Sequence, residues 1–225
     1  MGTTQVRRAA AGLAFAVGCV GLAGCADDSP AATVSPSVTA QSDPAADDDI
    51  VDPLLDVATQ VRDALRDEDY ATLAALASED EKVVFEPYSY VTDESFRLSP
   101  QEISRLGTSN KVYTWGAYDG SGHPMELSFA DYRARFVWDR DYTTAPSFAV
   151  DGYLVSGNSL QNLAEHFGPT ARWVEYSFPA TESAEDWDPD DYAPPGMDWS
   201  ALRLVFRETG TDYRLIGIVH DGWTI

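Results

Sequence analysis

The chain has 225 residues and carries 37 Asp and Glu against 15 Lys and Arg, a formal net charge of −22. That balance argues against nucleic acid as a partner, which needs Lys and Arg to displace condensed counterions, and against flat docking on anionic lipid. It leaves a cationic partner, divalent cations or plain solubility as what the acidity serves.

The first 24 residues read as an export signal. Arg7 and Arg8 form a positive start, and Ala9 to Ala23 is an unbroken small or apolar run, shorter than the roughly 20 apolar residues a bilayer span requires. Leu22-Ala23-Gly24-Cys25 resembles the lipobox of bacterial lipoproteins. The resemblance implies that Cys25 is lipidated and becomes the N-terminus after cleavage, so that the chain is exported and anchored on the outer face of the cytoplasmic membrane or at the cell surface. Two or more acyl chains hold firmly, since each buried CH₂ contributes roughly 0.8 kcal/mol. The other cysteine, Cys19, leaves with the signal; the remainder then has no thiol, disulfide or thiolate metal site. Loss of Arg7 and Arg8 takes the net charge to −24. Residues 25–49 are the lipidated cysteine and an acidic, proline-bearing stretch with no aromatic residue. Such a segment cannot bury enough apolar surface to order itself, and as a flexible coil it reaches roughly 25–30 Å.

Residues 50–225 suit one domain. Helix signals open it: Asp52 as an N-cap and Pro53 in the first turn, with Leu54, Val57, Ala58, Val61 and Leu65 on one stripe to Arg66. A short helix is expected over 69–77, with Tyr70, Leu73 and Leu76 inward, then a strand at 83–85. Ser99-Pro100-Gln101-Glu102 is a capping box, its helix expected to end at Gly107. Residues 111–128 read as a β-hairpin turning at Asp119-Gly120-Ser121-Gly122. Ser128 caps a helix expected over 129–138; 139–157 is irregular with room for one strand; 159–167 is expected helical and stops at Gly168-Pro169. Strands follow at 172–178, 201–207 and 213–219, the first two separated by an acidic loop over 181–199. Along 201–207, Leu202, Leu204 and Phe206 face one side and Arg203, Val205 and Arg207 the other. Helices early and antiparallel hairpins late make an α+β domain, with helices on one face of a bent sheet.

Three stretches, "VYTWGAYDGSGHPMELSFADYRARFVWDRDY", "GMDWSALRLVF" and "LIGIVHDGWTI", resemble an uncharacterised family of bacterial secreted and lipid-anchored proteins. The resemblance covers nearly all of 50–225, and implies fold and location but no activity. The element order also resembles an NTF2-like or cystatin-like cone, N-terminal helices on a curved, mainly antiparallel sheet. Such cones often hold a pocket between helices and sheet; some are enzymes using Asp and His, and many only bind or dimerise.

Several constellations could carry chemistry. His220-Asp221 ends the last strand, and a histidine oriented by a carboxylate can act as a general base; neighbours on a strand point to opposite faces, however, so this pair need not touch. Asp139 and Asp141 are paired carboxylates, with turn chemistry and an ion pair to Arg133 or Arg135 as the plainer role. Asp119 sits in the hairpin turn. His123 and His166 lack the spacing of a zinc site, and His166, before Gly168, suits a charge easing a helix carboxyl end. Trp115, Tyr118 and Trp199 could line a ligand pocket. Asp186, Asp188 and Asp190 alternate on the acidic loop and could bind calcium weakly, although the chain lacks an EF-hand's Gly and Glu. There is no P-loop, dinucleotide fingerprint or Gly-x-Ser-x-Gly, and no cofactor is expected. Three readings stay open: a lipid-anchored envelope module binding a small ligand or partner protein without catalysis; an acid–base enzyme using His220, Asp119, Asp139 or Asp141; and a weak calcium binder.

Overall fold

The structure, a computed structural model, describes residues 52–155, 160–181, 195–210 and 212–223. The signal, Cys25, the acidic stretch to residue 49 and Asp186, Asp188 and Asp190 lie outside the described residues.

Helix α1 (Pro53–Arg66) starts where Asp52 accepts the Leu54 N–H at 3.0 Å, and its stripe of Leu54, Val57, Ala58, Val61 and Leu65 is buried. Asp69 caps α2 (Tyr70–Leu76). Strands β1 (Val83–Glu86) and β2 (Phe96–Leu98) pair antiparallel; β2 has only three residues, too few for a period to show in the sequence. The capping box at Ser99 is formed, but α3 (Pro100–Ile103) stops short of Gly107. A 3₁₀ turn over Leu106–Thr108 replaces its last residues, which sinks Leu106 into the core and lays Gly107 on the Tyr70 ring. A Cβ at Gly107 would stand 2.9 Å from Tyr70 Cδ2.

Strands β3 (Val112–Ala117) and β4 (Pro124–Ser128) form a two-stranded sheet of their own. Helix α4 (Phe129–Phe136), capped by Ser128, ends two residues early, because the N–H groups of Val137 and Trp138 both turn back to the Arg133 carbonyl. After β5 (Ser147–Val150), α5 is confined to Leu163–Phe167. Asn162 cannot extend it: its side chain holds both the N–H and the C=O of Val91, at 3.0 and 2.7 Å. Strands β6 (Ala171–Phe178), β7 (Ser200–Thr209) and β8 (Asp212–Gly222) complete the chain.

The main sheet has the order β2-β1-β8-β7-β6-β5. All its pairs are antiparallel except β1 with β8, which run parallel. The domain is thus α+β, with its N-terminal helices packed on a mainly antiparallel sheet. Strand alternation gives that sheet two apolar faces. The first, with Phe85, Val174, Tyr176, Leu202, Leu204, Phe206 and Ile218, lies under α1, α2 and α4. The second, with Val84, Trp173, Val205, Ile216 and Val219, is covered by α5 through Leu163 and Phe167. Opposite Val205 and Phe206, strand β8 carries Ile216 as an extra residue, a bulge that bends the strand. Beside it Gly217 makes room for α5: a Cβ there would lie 2.9 Å from Phe167 Cζ.

Candidate functional site

The end of the sheet where β1 and β8 finish collects four of the polar residues singled out in the sequence: His220, Asp221, Asp139 and Asp119. β8 sends His220 to the first face and Asp221 to the second, as alternation requires. His220 is 7 % exposed. Its Nδ1 lies 3.2 Å from the Pro87 carbonyl and its Nε2 3.4 Å from Asp139 Oδ2. Among the described residues Nε2 makes no well-formed hydrogen bond, so the contact with Asp139 is an ion pair rather than a directed bond. Phe136 stands edge-on to the imidazole at 5.9 Å. Asp139 is open to solvent along its backbone, but its side chain is 22 % exposed, and it accepts from Tyr142 Oη at 2.7 Å and Ser200 Oγ at 3.0 Å.

These contacts set the charges. Burial alone would raise the Asp139 carboxyl; the facing His220 charge and the hydrogen bonds from Tyr142 and Ser200 outweigh it and bring the pKa down to about 2. Burial likewise works against the His220 imidazolium, yet Asp139 and the Pro87 carbonyl raise its pKa above the ordinary histidine value. Asp139 therefore pairs with His220, not with Arg133 or Arg135. Arg133 closes the end of α1 instead, donating to the Leu65 carbonyl at 2.6 Å and the Arg66 carbonyl at 3.2 Å.

On the second face Asp221 joins a network that composition alone could not reveal. Arg203 is 0 % exposed. Its Nε donates to Glu175 Oε2 at 2.7 Å, one Nη to Asp221 Oδ2 at 2.9 Å and the other to the Val155 carbonyl at 2.8 Å. Glu175 also accepts the N–H groups of Leu154 and Val155, Gln161 donates to Asp221, and Tyr153 lies 5.0 Å from the guanidinium carbon. A charge inside a protein needs such partners. Their arrangement ties the backbone after β5 down onto the sheet.

Where β1 and β8 end, the surface opens into a depression of about 290 Å³, lined by Glu86, Tyr88, Tyr90, Asp119, Leu160 and Asp221. Burial drives the Glu86 pKa up, to about 7, against the opposing pull of hydrogen bonds from Ser95 and the Tyr88 N–H and of the Arg97 charge. Asp119, in the hairpin turn, accepts the Gly120 N–H at 2.9 Å and donates its own N–H to Tyr88 Oη at 3.0 Å.

The remaining sequence candidates lie elsewhere. Asp141 is exposed and caps a 3₁₀ turn through Thr143, away from His220. Trp115 is enclosed in the first core, stacked 3.8 Å from Tyr132 and donating Nε1–H to the Leu127 carbonyl at 3.0 Å; the space where an aromatic pocket was expected is filled by its own side chains. Tyr118 and Trp199 are half-buried, and neither lines the depression. His166 accepts from Arg97 at 3.3 Å, and burial together with that guanidinium lowers its pKa. A neutral ring here cannot supply the charge expected at the helix end. Among the described residues no group of three or more His, Cys, Asp or Glu is placed to hold a metal ion, and no helix is long and apolar enough to cross a membrane. Sequence reasoning passed over Glu86, Tyr88 and Tyr90, although "EPYSY" directly after an apolar strand was the available signal: a carboxylate ending a buried strand, followed by proline and two tyrosines.

No protein-family model matches the chain, and no curated protein does. Among solved structures it is similar to an NTF2-like protein from Cytophaga hutchinsonii, at 10% identity and TM-score 0.31 over 75% of this chain and 93% of that one. It is similar also to an NTF2-like protein of unknown function from Shewanella oneidensis, at 9% identity and TM-score 0.31 over 76% and 97%. A third is an NTF2-like protein with a cystatin-like fold from Novosphingobium aromaticivorans, at 11% identity and TM-score 0.29 over 75% and 83%. At such scores the overlaps stand beside the architecture described above and assign no activity.

Proposed function

We propose that the chain is a lipid-anchored protein of the bacterial envelope whose α+β domain binds a ligand or partner without transforming it. Cys25 is the anchor in this reading, and the acidic stretch to residue 49 holds the domain off the membrane. The observation that carries the non-catalytic part is the engagement of His220. A general base must come within hydrogen-bond reach of the proton it takes, and this imidazole is closed in between the Pro87 carbonyl, Asp139 and Phe136. The depression supports binding: its carboxylates suit a cationic group, and Tyr88 and Tyr90 in its wall add aromatic surface that favours the same charge.

Two experiments test this reading. Fatty-acid labelling of the full chain in a bacterial host should mark the wild type and not Cys25→Ser; equal labelling, or none, overturns the anchor. Calorimetry with spermidine as a cationic probe should show binding that Asp119→Asn and Tyr90→Ala each weaken about fivefold, the effect of roughly 1 kcal/mol. Affinity should also rise between pH 6 and 8, because a carboxyl with a pKa near 7 becomes charged across that window. Absence of binding, or binding indifferent to both substitutions, overturns the site.

One observation favours a second reading. A carboxyl with its pKa near 7 in an open depression is poised for acid–base work. That enzyme would use Glu86 rather than His220, and a turnover abolished by Glu86→Gln would establish it in place of the binding role.

A further inference from the structure

A second hollow, of about 180 Å³, opens near Lys82, Arg97, His166 and Arg207. It shares no lining residue with the acidic depression. Its floor is apolar, formed by Val84, Phe167 and Ile216. In a chain of net charge −22, three cations here face one lining carboxylate, Glu81.

The donors can be followed one by one, since each guanidinium has five N–H groups. Arg97 uses its four Nη hydrogens on the carbonyls of Asp93, Ser95 and Thr92 and on His166 Nε2, at 2.7 to 3.3 Å. No carboxylate among the described residues pairs with it. Arg207 forks onto Glu81 at 2.7 and 2.9 Å and gives its other Nη to the Phe167 carbonyl and Thr170 Oγ1. Among the described residues one N–H on each is without an acceptor: Nε–H of Arg97 and one Nη2–H of Arg207. Lys82 is 57 % exposed and stands 3.6 Å from Glu102, whose carboxylate is already occupied by the Ser99 N–H and hydroxyl. Because Arg97 is always protonated, His166 Nε2 must be the acceptor, which leaves this ring neutral with its proton on Nδ1.

We propose that this hollow binds a small organic carboxylate, its head held by Lys82 and the remaining N–H groups of Arg97 and Arg207, and its short apolar body lying on Val84, Phe167 and Ile216. A planar monoanion fits this donor set. A phosphate dianion, which is bound well by forked guanidinium pairs, finds only one N–H on each arginine. The inference does not depend on the acidic depression or on the lipid anchor.

The His166 ring reports occupancy. The charged groups facing it are Arg97 and Asp93, with Lys82, Arg207 and Glu81 across the hollow and Glu165 on its own helix. A bound anion favours the imidazolium, so the His166 pKa should rise. The experiment follows the His166 ring by NMR in the full-length chain, titrating butyrate, acetate and inorganic phosphate separately at fixed ionic strength. Butyrate at millimolar concentration should shift the ring signals and raise the His166 pKa; acetate, lacking the apolar body, should bind several-fold more weakly. Lys82→Gln, at an exposed position where folding is not at stake, should weaken butyrate about threefold, the effect of one partly screened charge. No shift with butyrate overturns the site. Phosphate binding as tightly as butyrate overturns the carboxylate assignment, and indifference to Lys82→Gln overturns the proposed head group.

Discussion

The two faces of the sheet are closed by different physics. On the first, aromatic rings do the filling: Trp115 stacks on Tyr132, and Phe85 meets Trp115, Phe129 and Tyr132 edge-on at 5.9 to 6.5 Å. On the second, a smaller apolar cluster sits beside the buried Glu175–Arg203–Asp221 network. The first face can be covered by helices, whose backbone groups are satisfied internally. Irregular chain after β5 covers part of the second, and its N–H and C=O groups at Val155 need partners from the sheet. Charged residues on a strand interior are thus the counterpart of a loop used as a lid.

Breaking that network should have the largest effect. Arg203→Met leaves two carboxylates without their cation, which costs about 3–5 kcal/mol. In urea unfolding, adding Glu175→Gln and Asp221→Asn should recover much of the loss. Failure to recover would mean that Arg203 acts through packing, and the contrast between the faces would fail. Trp115→Ala on the first face should cost about 3–4 kcal/mol, with no recovery available from charge changes elsewhere.

Glu86 sharpens the comparison at the boundary between the faces. Its folded pKa of about 7 lies above its unfolded value, so the folded state holds the proton more tightly and stability falls as pH rises from about 4.5 to 7. Glu86→Gln should therefore stabilise by on the order of 2 kcal/mol at pH 8 and change little at pH 4; a pH-independent effect would place the group in water. The smallest effect belongs to the Tyr132 hydroxyl. Tyr132 Oη is buried without a hydrogen-bond partner among the described residues, so Tyr132→Phe should be neutral or stabilising by up to about 1 kcal/mol.

The same contrast explains what the sequence let through. The α1 stripe, the Ser99 capping box, the 111–128 hairpin and strands β6 to β8 were legible because each is written in local period or cap chemistry. Strand β2 was too short to show a period, and the early end of α4 turns on the Arg133 carbonyl; the early end of α3 and the late start of α5 depend on partners far along the chain, Gly107 on Tyr70 and Asn162 on Val91. The polar site was legible in part. The tertiary structure brings His220 and Asp139 together and puts Asp119 at the depression, while Asp141 and Trp115 go elsewhere. Alternation placed Arg203 beside Val205 and Arg207 on one side of its strand. It could not say that this side is buried, because the cover comes from a segment without periodicity.

His220 and Asp139 form a structural pair, and a double-mutant cycle at pH 6 tests it. Asp139 supports stability above about pH 4 and loses that support as pH falls toward 2; His220, raised above its usual value, supports stability below about 6.5 and loses it as pH rises through its folded pKa. Both groups are charged at pH 6. With His220→Gln, Asp139→Asn and the double variant, the account predicts a coupling of about 1.5–3 kcal/mol; changes that simply add, to within about 0.5 kcal/mol, would contradict it.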